Sequence, residues 1–571
     1  MMKKLSTLAL AGLLALPAVA NAGAGAAPKD LERKIDELSK QLDALKAQMA
    51  KQGENINAVD KKVGAVSNML DEKSPAWDLA SRVTIYGDFR ARLDYLSASA
   101  PSYYTASQIA SGMSMALPGM GMGPGPYSID QIKMAVAAMK MYTPAMRAGM
   151  FQMMGITPTR EADWENDTLL TNRLRLNLRV NATDDVEFKG RLAMYKAWGM
   201  QSHPLAGANS YGNPYLLDTY GMDGASTREP NDNALLVDRA FVNWNNIGGM
   251  PLWFSVGRRP TSDGPPAQLR QGTDERMATP VNFMDYPFDG LSLGYAYKWG
   301  NEAMGAGRIR FCYGRGFEAG LTTDVFGYDR YGLNDMDFAG LSWDVMQKGS
   351  RFLNIQSFLA SNIVNTPDGV TFSNPLETYG IVPGDGYLDR TTLGNIYHTS
   401  AVYMDKVQNL NYFMAVGWSR TDPSGWDEMG TSLMGSWWSD LEQKDGYSVY
   451  AGIRYDIKPV KIGLEYNYGT KYWLSFTPGH DDLYNSKLAT RGHVGELYMI
   501  YDLPTGAAVS KFAKTFIRLG YQYYKYDYTG SGMWLGTPVD IDELKSDPLN
   551  AQFYSPVEDQ SQIYLTFEAY F

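Results

Sequence analysis

The side chains with the most chemistry to offer are arginines, and they recur in alternation. Arg90 and Arg92 stand two apart, and so do Arg173 and Arg175, with Arg179 further on. Lys189 and Arg191 repeat the step, and Arg259, Arg310, Arg454 and Arg518 follow singly. A guanidinium is always charged and carries five donors, so it attracts and orients anions rather than activating a nucleophile. Rings of one sign inside a pore select ions of the other. By strand parity these residues form the expected pore lining. Asp88, Asp94, Glu187, Asp456 and Glu465 share that parity. The arginines could therefore simply pair with acids across strands in a solvated wall, and both readings stay open here. The basic excess on the first three strands points to a local anion preference.

Other chemistries find little footing. There is one cysteine, Cys312, and the histidines His203, His398, His480 and His493 are scattered, without metal-ligand spacing. No C-x-x-C-H, Walker loop or G-x-S-x-G occurs. The chain is expected not to be an enzyme and to carry no metal or cofactor. His480-Asp481-Asp482 is a weak cation cluster that reads as solvated polarity in an outer loop. The net charge of -10 argues against nucleic acid as a partner.

The elements that must position the arginines are strands. In "VTIYGDFRARLDY" Val83, Ile85, Phe89, Ala91, Leu93 and Tyr95 fall on one face, with Asp88, Arg90, Arg92 and Asp94 on the other. "NRLRLNLRV", "VKIGLEYNYG" and "FIRLGYQYYKY" repeat the period of two. Such segments are expected near 82–96, 168–181, 185–198, 235–246, 251–259, 288–299, 307–316, 336–346, 351–362, 391–403, 409–420, 445–457, 459–471, 492–503, 512–527 and 560–571. Short links such as "ATDD", "NIGGM" and "DKVQN" alternate with long ones. A soluble sandwich has no reason to alternate in this way. A membrane barrel does, with short periplasmic turns and long outer loops. Aromatic clusters at strand ends, such as "YKAWG" and "YQYYKYDY", fit interfacial girdles.

The expected fold is all-β: a transmembrane antiparallel β-barrel of about 16 strands, preceded by an α-helical coiled coil. Residues 1–22 read as a signal peptide, with Lys3 and Lys4, a short apolar run and Ala20-Asn21-Ala22. Residues 23–73 hold the periplasmic coiled coil, 74–81 a linker, and 82–571 the outer-membrane barrel with a long first extracellular loop, 97–167. The coiled coil rests on Leu31, Ile35, Leu38, Leu42, Leu45 and Met49, continued by Ile56, Val59, Val63, Val66 and Leu70 in steps of four and three. Its stripe is expected to pair copies of the chain through residues 31–70, with a reach toward the cell wall as the sharper reading. The first loop is rich in methionine, with helices expected at 128–142 and 144–154. Clustered thioethers could hold Cu(I), but they more commonly fill irregular apolar gaps.

Gly257-Arg258-Arg259-Pro260, with Asp263-Gly264-Pro265-Pro266 and Arg270, resembles a porin-like bacterial outer-membrane family catalogued as a domain of unknown function. The order of signal, coiled coil and first strand agrees with it. The resemblance covers nearly the whole mature chain and implies a channel without naming its substrate. Arg258, Arg259, Asp263 and Arg270 could form an inward constriction loop, or only a rigid anchor. The C-terminal alternation ending at Phe567 and Phe571 resembles the insertion signal read by the barrel-assembly machinery, although Ala569 stands where an aromatic is common. The expected function is passive diffusion of small hydrophilic solutes or ions. Two alternatives stay open: a barrel sheathing a partner such as a multihaem cytochrome, and a tether from outer membrane to cell wall.

Overall fold

The computed structural model describes residues 28–199, 227–228, 230, 233–261, 263–273, 276, 283–286, 288–320, 333–365, 373–436, 441–477, 481–483, 486–506 and 513–571. The signal segment, His203 and His480 lie outside them. The chain divides into two units, Met1–Ser81 and Arg82–Phe571.

The described residues of the first unit belong to one helix, α1 (Pro28–Arg82). Pro28 opens it, where a missing N–H costs nothing. The linker expected at 74–81 is instead helical. Only Pro75 in that stretch opposes a helix, and Ala76, Leu79 and Ala80 favour one. Ile35, Leu38, Leu42, Leu45, Met49, Val59 and Val63 form an exposed apolar stripe along the single helix.

The second unit is a closed antiparallel barrel of sixteen strands. These are β1 (Val83–Ala100), β2 (Ala162–Asn181), β3 (Val186–Ala197), β4 (Leu236–Trp244), β5 (Leu252–Arg259), β6 (Phe288–Lys298), β7 (Ala306–Phe317), β8 (Met336–Lys348), β9 (Arg351–Val364), β10 (Thr392–Val407) and β11 (Leu410–Pro423), then β14 (Lys444–Ile457), β15 (Val460–Gly469), β16 (Gly492–Asp502), β17 (Lys514–Tyr526) and β18 (Asp559–Tyr570). A small hairpin, β12 (Thr431–Ser432) and β13 (Gly435–Ser436), sits in the connection between β11 and β14. Each barrel strand pairs with its neighbours in order, and β1 closes on β18 with Ala91 opposite Phe567 and Asp88 opposite Tyr570. The last residue completes the seam: the Phe571 amide donates to Gly87 O at 3.0 Å, and Gly87 N donates to Phe571 O at 2.9 Å.

Burial alternates along the strands. On β18, Gln562, Tyr564, Thr566 and Glu568 are buried, whereas Ile563, Leu565 and Phe567 are exposed. A barrel wall is one layer thick, so a buried side chain faces the interior and an exposed one faces outward. The outward set, including Leu293, Ile309, Leu341, Val416, Ile453, Leu464 and Leu519, is apolar all around the barrel. Polar residues inside and apolar residues outside suit a wall bathed in lipid. A closed ladder also satisfies every backbone group that lipid would leave unpaired. No described helix is long and apolar enough to cross a membrane.

Described parts of several long connections pack against one another. Three helices of the first one, α2 (Ala106–Leu117), α3 (Ile129–Lys140) and α4 (Pro144–Met153), start at Thr105, Ser128 and Thr143. Each of these residues accepts an orphan amide, and the first two do so in capping boxes with Gln108 and Gln131. Ile109, Met113, Ile132, Val136, Met139 and Phe151 bury a core there with Leu376, Ile381 and Leu549 of other connections. The buried pair Arg147–Asp547 ties α4 to the last connection, with Nε to Oδ1 at 2.8 Å. The methionines thus divide between this core and exposed positions such as Met134, Met141 and Met153.

Asp427 knots the connection between β11 and β14. Its carboxylate accepts from the Thr431 hydroxyl at 2.6 Å and from the Thr431 and Met429 amides at 2.9 and 3.1 Å. Burial pushes its pKa up to about 6 against those bonds. The unfolded carboxyl ionises first, near 3.8. Stability from this group is therefore full below that value, declines as pH rises toward about 6, and is flat above. Protection of the amides in residues 424–436, taken as exchange relative to the intrinsic rate at each pH, is expected to be higher at pH about 4 than at pH about 7, and Asp427→Asn should remove most of that difference. Equal protection factors at both pH values in the wild type would refute it.

Candidate functional site

The strand arginines converge on two connections that fold back into the barrel. Arg90, Arg92, Arg173, Arg175, Arg191, Arg310, Arg454 and Arg518 are all buried. A buried charge is tolerated only when paired, so each requires a partner within the wall or from the interior.

The connection after β5 supplies the first. Asp263, in the left-handed region at φ 62°, accepts from four guanidiniums at once. Its Oδ2 lies 3.0 Å from Arg191 Nη1, 3.1 Å from Arg239 Nη2 and 3.4 Å from Arg175 Nη1. Its Oδ1 accepts from Arg228 at 3.4 Å and from Gln271 Nε2 at 3.1 Å. Asp88, Asp238 and Asp285 complete the balance: Asp88 holds Arg175 at 2.8 Å, Asp285 holds Arg228 at 2.6 Å, and Asp238 holds Arg191.

The same connection then reaches the other side of the seam. In the short helix α5 (Ala267–Arg270), whose residues are all buried, Leu269 O accepts from Arg454 at 2.9 Å and Arg270 O from Arg518 at 2.8 Å. Lys514 Nζ donates to Gly272 O. The Arg270 side chain meets Asp482 and lies 2.9 Å from Glu496. Its carboxylate partner Glu496 also accepts from Tyr564 at 2.6 Å and from Lys487 at 2.6 Å.

The connection after β15 supplies the second hub. Asp481 pairs with Arg90, with Arg173 at 3.0 Å and with Arg518 at 3.3 Å, and its carbonyl accepts from Arg92 at 2.9 Å. Asp482 accepts from Gln522 at 2.8 Å, and Lys487 bridges Glu465 and Glu496. The expectation that Asp481 and Asp482 are solvated is thus corrected: both are buried. Residues 263–273, 481–483 and 486–489 lie inside the barrel against the strands from β14 through β18 and β1 to β4. Toward β9, β10 and β11 the contact is apolar, through Leu269 and Leu488 of these segments, with Phe283 and Trp473 beside them, against Phe352, Val402, Met404 and Phe413.

Three of the expected lining residues stand apart. The side chains of Arg179 and Lys189 are 51% and 38% exposed and share Glu187 at 2.8 and 2.7 Å. Arg259 is half-buried, its guanidinium 5.8 Å from the Trp253 ring centre. Of the constriction-loop residues, Asp263 and Arg270 enter the interior, while Arg258 pairs with exposed Asp289 at 3.2 Å. The structural reason is parity: Arg258 has the outward register of β5 and Arg259 the inward one.

Asp238, Arg239, Arg228, Asp285, Lys487, Glu496 and Glu568 complete the network without having been anticipated. Glu496 and Glu568 have the inward parity of expected strands, a signal that parity alone could have found. Asp238 and Arg239 are consecutive and both buried. A register shift at Arg191/Leu192 lets β4 carry an extra residue there, and a bulge can turn two neighbours to one face. No local pattern announces it.

No curated protein matches the sequence. Among solved structures, the chain is similar to in-vitro folded OmpT, an outer-membrane protein of Vibrio cholerae in trimer form, at 8% identity and TM-score 0.37, covering 86% of this chain and 99% of that one. Salmonella typhi OmpF in complex with daunomycin gives 9% identity and TM-score 0.36, covering 85% and 97%. An anion-selective porin from Comamonas acidovorans gives 9% and 0.36, covering 86% and 99%. A family model described as "Protein of unknown function (DUF3373)" matches residues 163–571, which is most of the chain, and the protein therefore belongs to that family.

Proposed function

We propose that the protein is a gated outer-membrane channel that passes small anions when its inward connections withdraw. The supporting observation is the division of charge. On β1 to β4 the wall buries Arg90, Arg92, Arg173, Arg175, Arg191 and Arg239 against Asp88, Asp94, Glu187 and Asp238. Asp263 and Asp481 arrive on connecting segments and pair with Arg90, Arg173, Arg175, Arg191 and Arg239. Withdrawal of those segments leaves this part of the wall basic, and a basic low-dielectric passage favours anions.

The sheath reading has less support, because the chain's own segments occupy interior space that a cytochrome would need. The exposed stripe on α1 supports association of copies through residues 31–70, since a helix that shows such a stripe to water gains by pairing it. Both barrel ends lie on the short-turn side, which supports a periplasmic place for that helix.

Planar-bilayer recording across a potassium chloride gradient tests the reading. Brief openings with a reversal potential on the chloride side are expected. Openings that favour potassium would overturn the anion preference, and a barrel silent at every voltage would overturn the channel.

A further inference from the structure

Opposite the ion-paired segments, the interior keeps a cavity of about 90 Å³ against β5 to β9. Its lining combines two guanidiniums, Arg259 and Arg310, with an apolar side made by Met284, Phe288, Phe338 and Phe358. Among the described residues that line it there is no carboxylate. This sets it apart from the rest of the interior, where carboxylates are brought to the arginines.

The two cations are not equivalent. Arg310 reaches Asp344 at 3.4 Å, but Arg308 holds the same carboxylate more closely, at 2.8 Å. Arg259 meets the Trp253 ring and has no carboxylate within ion-pair reach among the described residues. The aromatic side is pre-formed: the Phe288 and Phe338 rings lie 4.7 Å apart and those of Phe338 and Phe358 6.2 Å apart. Small residues Gly314, Gly340 and Ser342 on β7 and β8 leave the room between them. A ligand that satisfies this site must be anionic at one end and flat and apolar at the other. A free inorganic anion would leave the aromatic side unused, and a neutral aromatic would leave Arg259 uncompensated.

We propose that this cavity binds a small aromatic carboxylate, its oxygens on Arg259 and Arg310 and its ring against Phe288, Phe338 and Phe358. The inference rests on the channel reading only in that solute must reach the interior. Fork-like donors match a carboxylate, and charge-assisted bonds of this kind are the strong ones.

Cys312 lines the cavity and is the single cysteine of the sequence, so it serves as a built-in reporter. Purified full-length protein is titrated with benzoate, benzylammonium and chloride. Binding is read by calorimetry, and the rate of Cys312 modification by a small maleimide is read alongside. Saturable benzoate binding that slows modification is expected, with none for benzylammonium and no comparable protection by chloride. Arg259→Met should weaken benzoate binding roughly tenfold or more, with heat-modifiability of the barrel unchanged. Equal binding of benzoate and benzylammonium, absence of benzoate heat, or an unaltered affinity in Arg259→Met would overturn the proposal. If Cys312 proves unreactive, calorimetry of the two proteins decides. A conducting barrel that ignores benzoate sinks this site and leaves the channel standing; benzoate binding to a silent barrel does the reverse.

Discussion

Asp263→Ala is expected to convert a mostly closed barrel into a frequently open, more anion-selective one. The carboxylate is the shared counter-ion of Arg175, Arg191, Arg228 and Arg239, and it is buried. Removing one partner from a buried ion pair costs about 3–5 kcal/mol, because the remaining charge is left desolvated and unpaired. Taken wholly from the seated state of residues 263–273, that is roughly two to four orders of magnitude in the ratio of seated to withdrawn. The wall itself retains Asp88, Asp238 and its backbone ladder, so the barrel should survive. Asp263→Asn separates charge from shape: it keeps most of the volume and should shift selectivity in the same direction. Open probability and reversal potential in bilayers are the readouts, with heat-modifiability on gels as the check on folding. If folded Asp263→Ala barrels conduct and select as the wild type does, residues 263–273 are a structural filling and not a gate.

The second large effect concerns the seam. Deleting Phe571 should reduce the membrane-inserted fraction several-fold, and deleting residues 28–81 should not. Phe571 exchanges both backbone hydrogen bonds with Gly87, and its ring stands 3.0 Å from where a side chain on Gly87 would begin. Without it, Gly87 presents an unpaired N–H and C=O at the closing edge, an expensive exposure next to lipid. The terminal aromatic that we propose as the assembly signal is lost in the same step. The helix deletion removes the exposed stripe instead, and is expected to lower the sedimenting mass while leaving heat-modifiable barrel in the outer membrane. Undiminished insertion without Phe571 would contradict both the signal and the closing role of the seam. Unchanged mass without residues 28–81 would remove the basis for association through the helix.

The strands were legible because their determinant is local. A wall with lipid on one side and a polar interior on the other forces a period of two, and links that alternate short and long mark where it breaks. Each of the sixteen strands coincides with an expected segment. The largest boundary differences fall at the long-connection ends, as at β2, which begins at Ala162 and so ahead of the expected 168. Beyond the lipid the outward face no longer needs to be apolar, and the alternation fades before the strand does. Helix α2 was not expected: in "ASQIASGMSMAL" the face made by Ala106, Ile109, Ala110, Met113 and Leu117 is built partly of alanine, with serine and glycine between, and its burial comes partly from residues in other connections.

The sequence by itself determined the barrel, its strand parity and the inward set of arginines, because these follow from nearest-neighbour rules of a strand between two solvents. Tertiary structure alone decided what those arginines meet. Arg90 finds Asp481 391 positions away, and Arg173 finds it 308 positions away. Asp263 and Asp481 lie in segments whose composition suits water, and nothing local distinguishes a loop that leaves the barrel from one that returns to its interior. We propose that charge makes that choice: β1 to β4 bury more guanidinium than carboxylate, and the connections that bring Asp263 and Asp481 offset the excess by folding in. Whether the lumen is a passage or a filled core thus depends on pairings that exist only once all sixteen strands have closed.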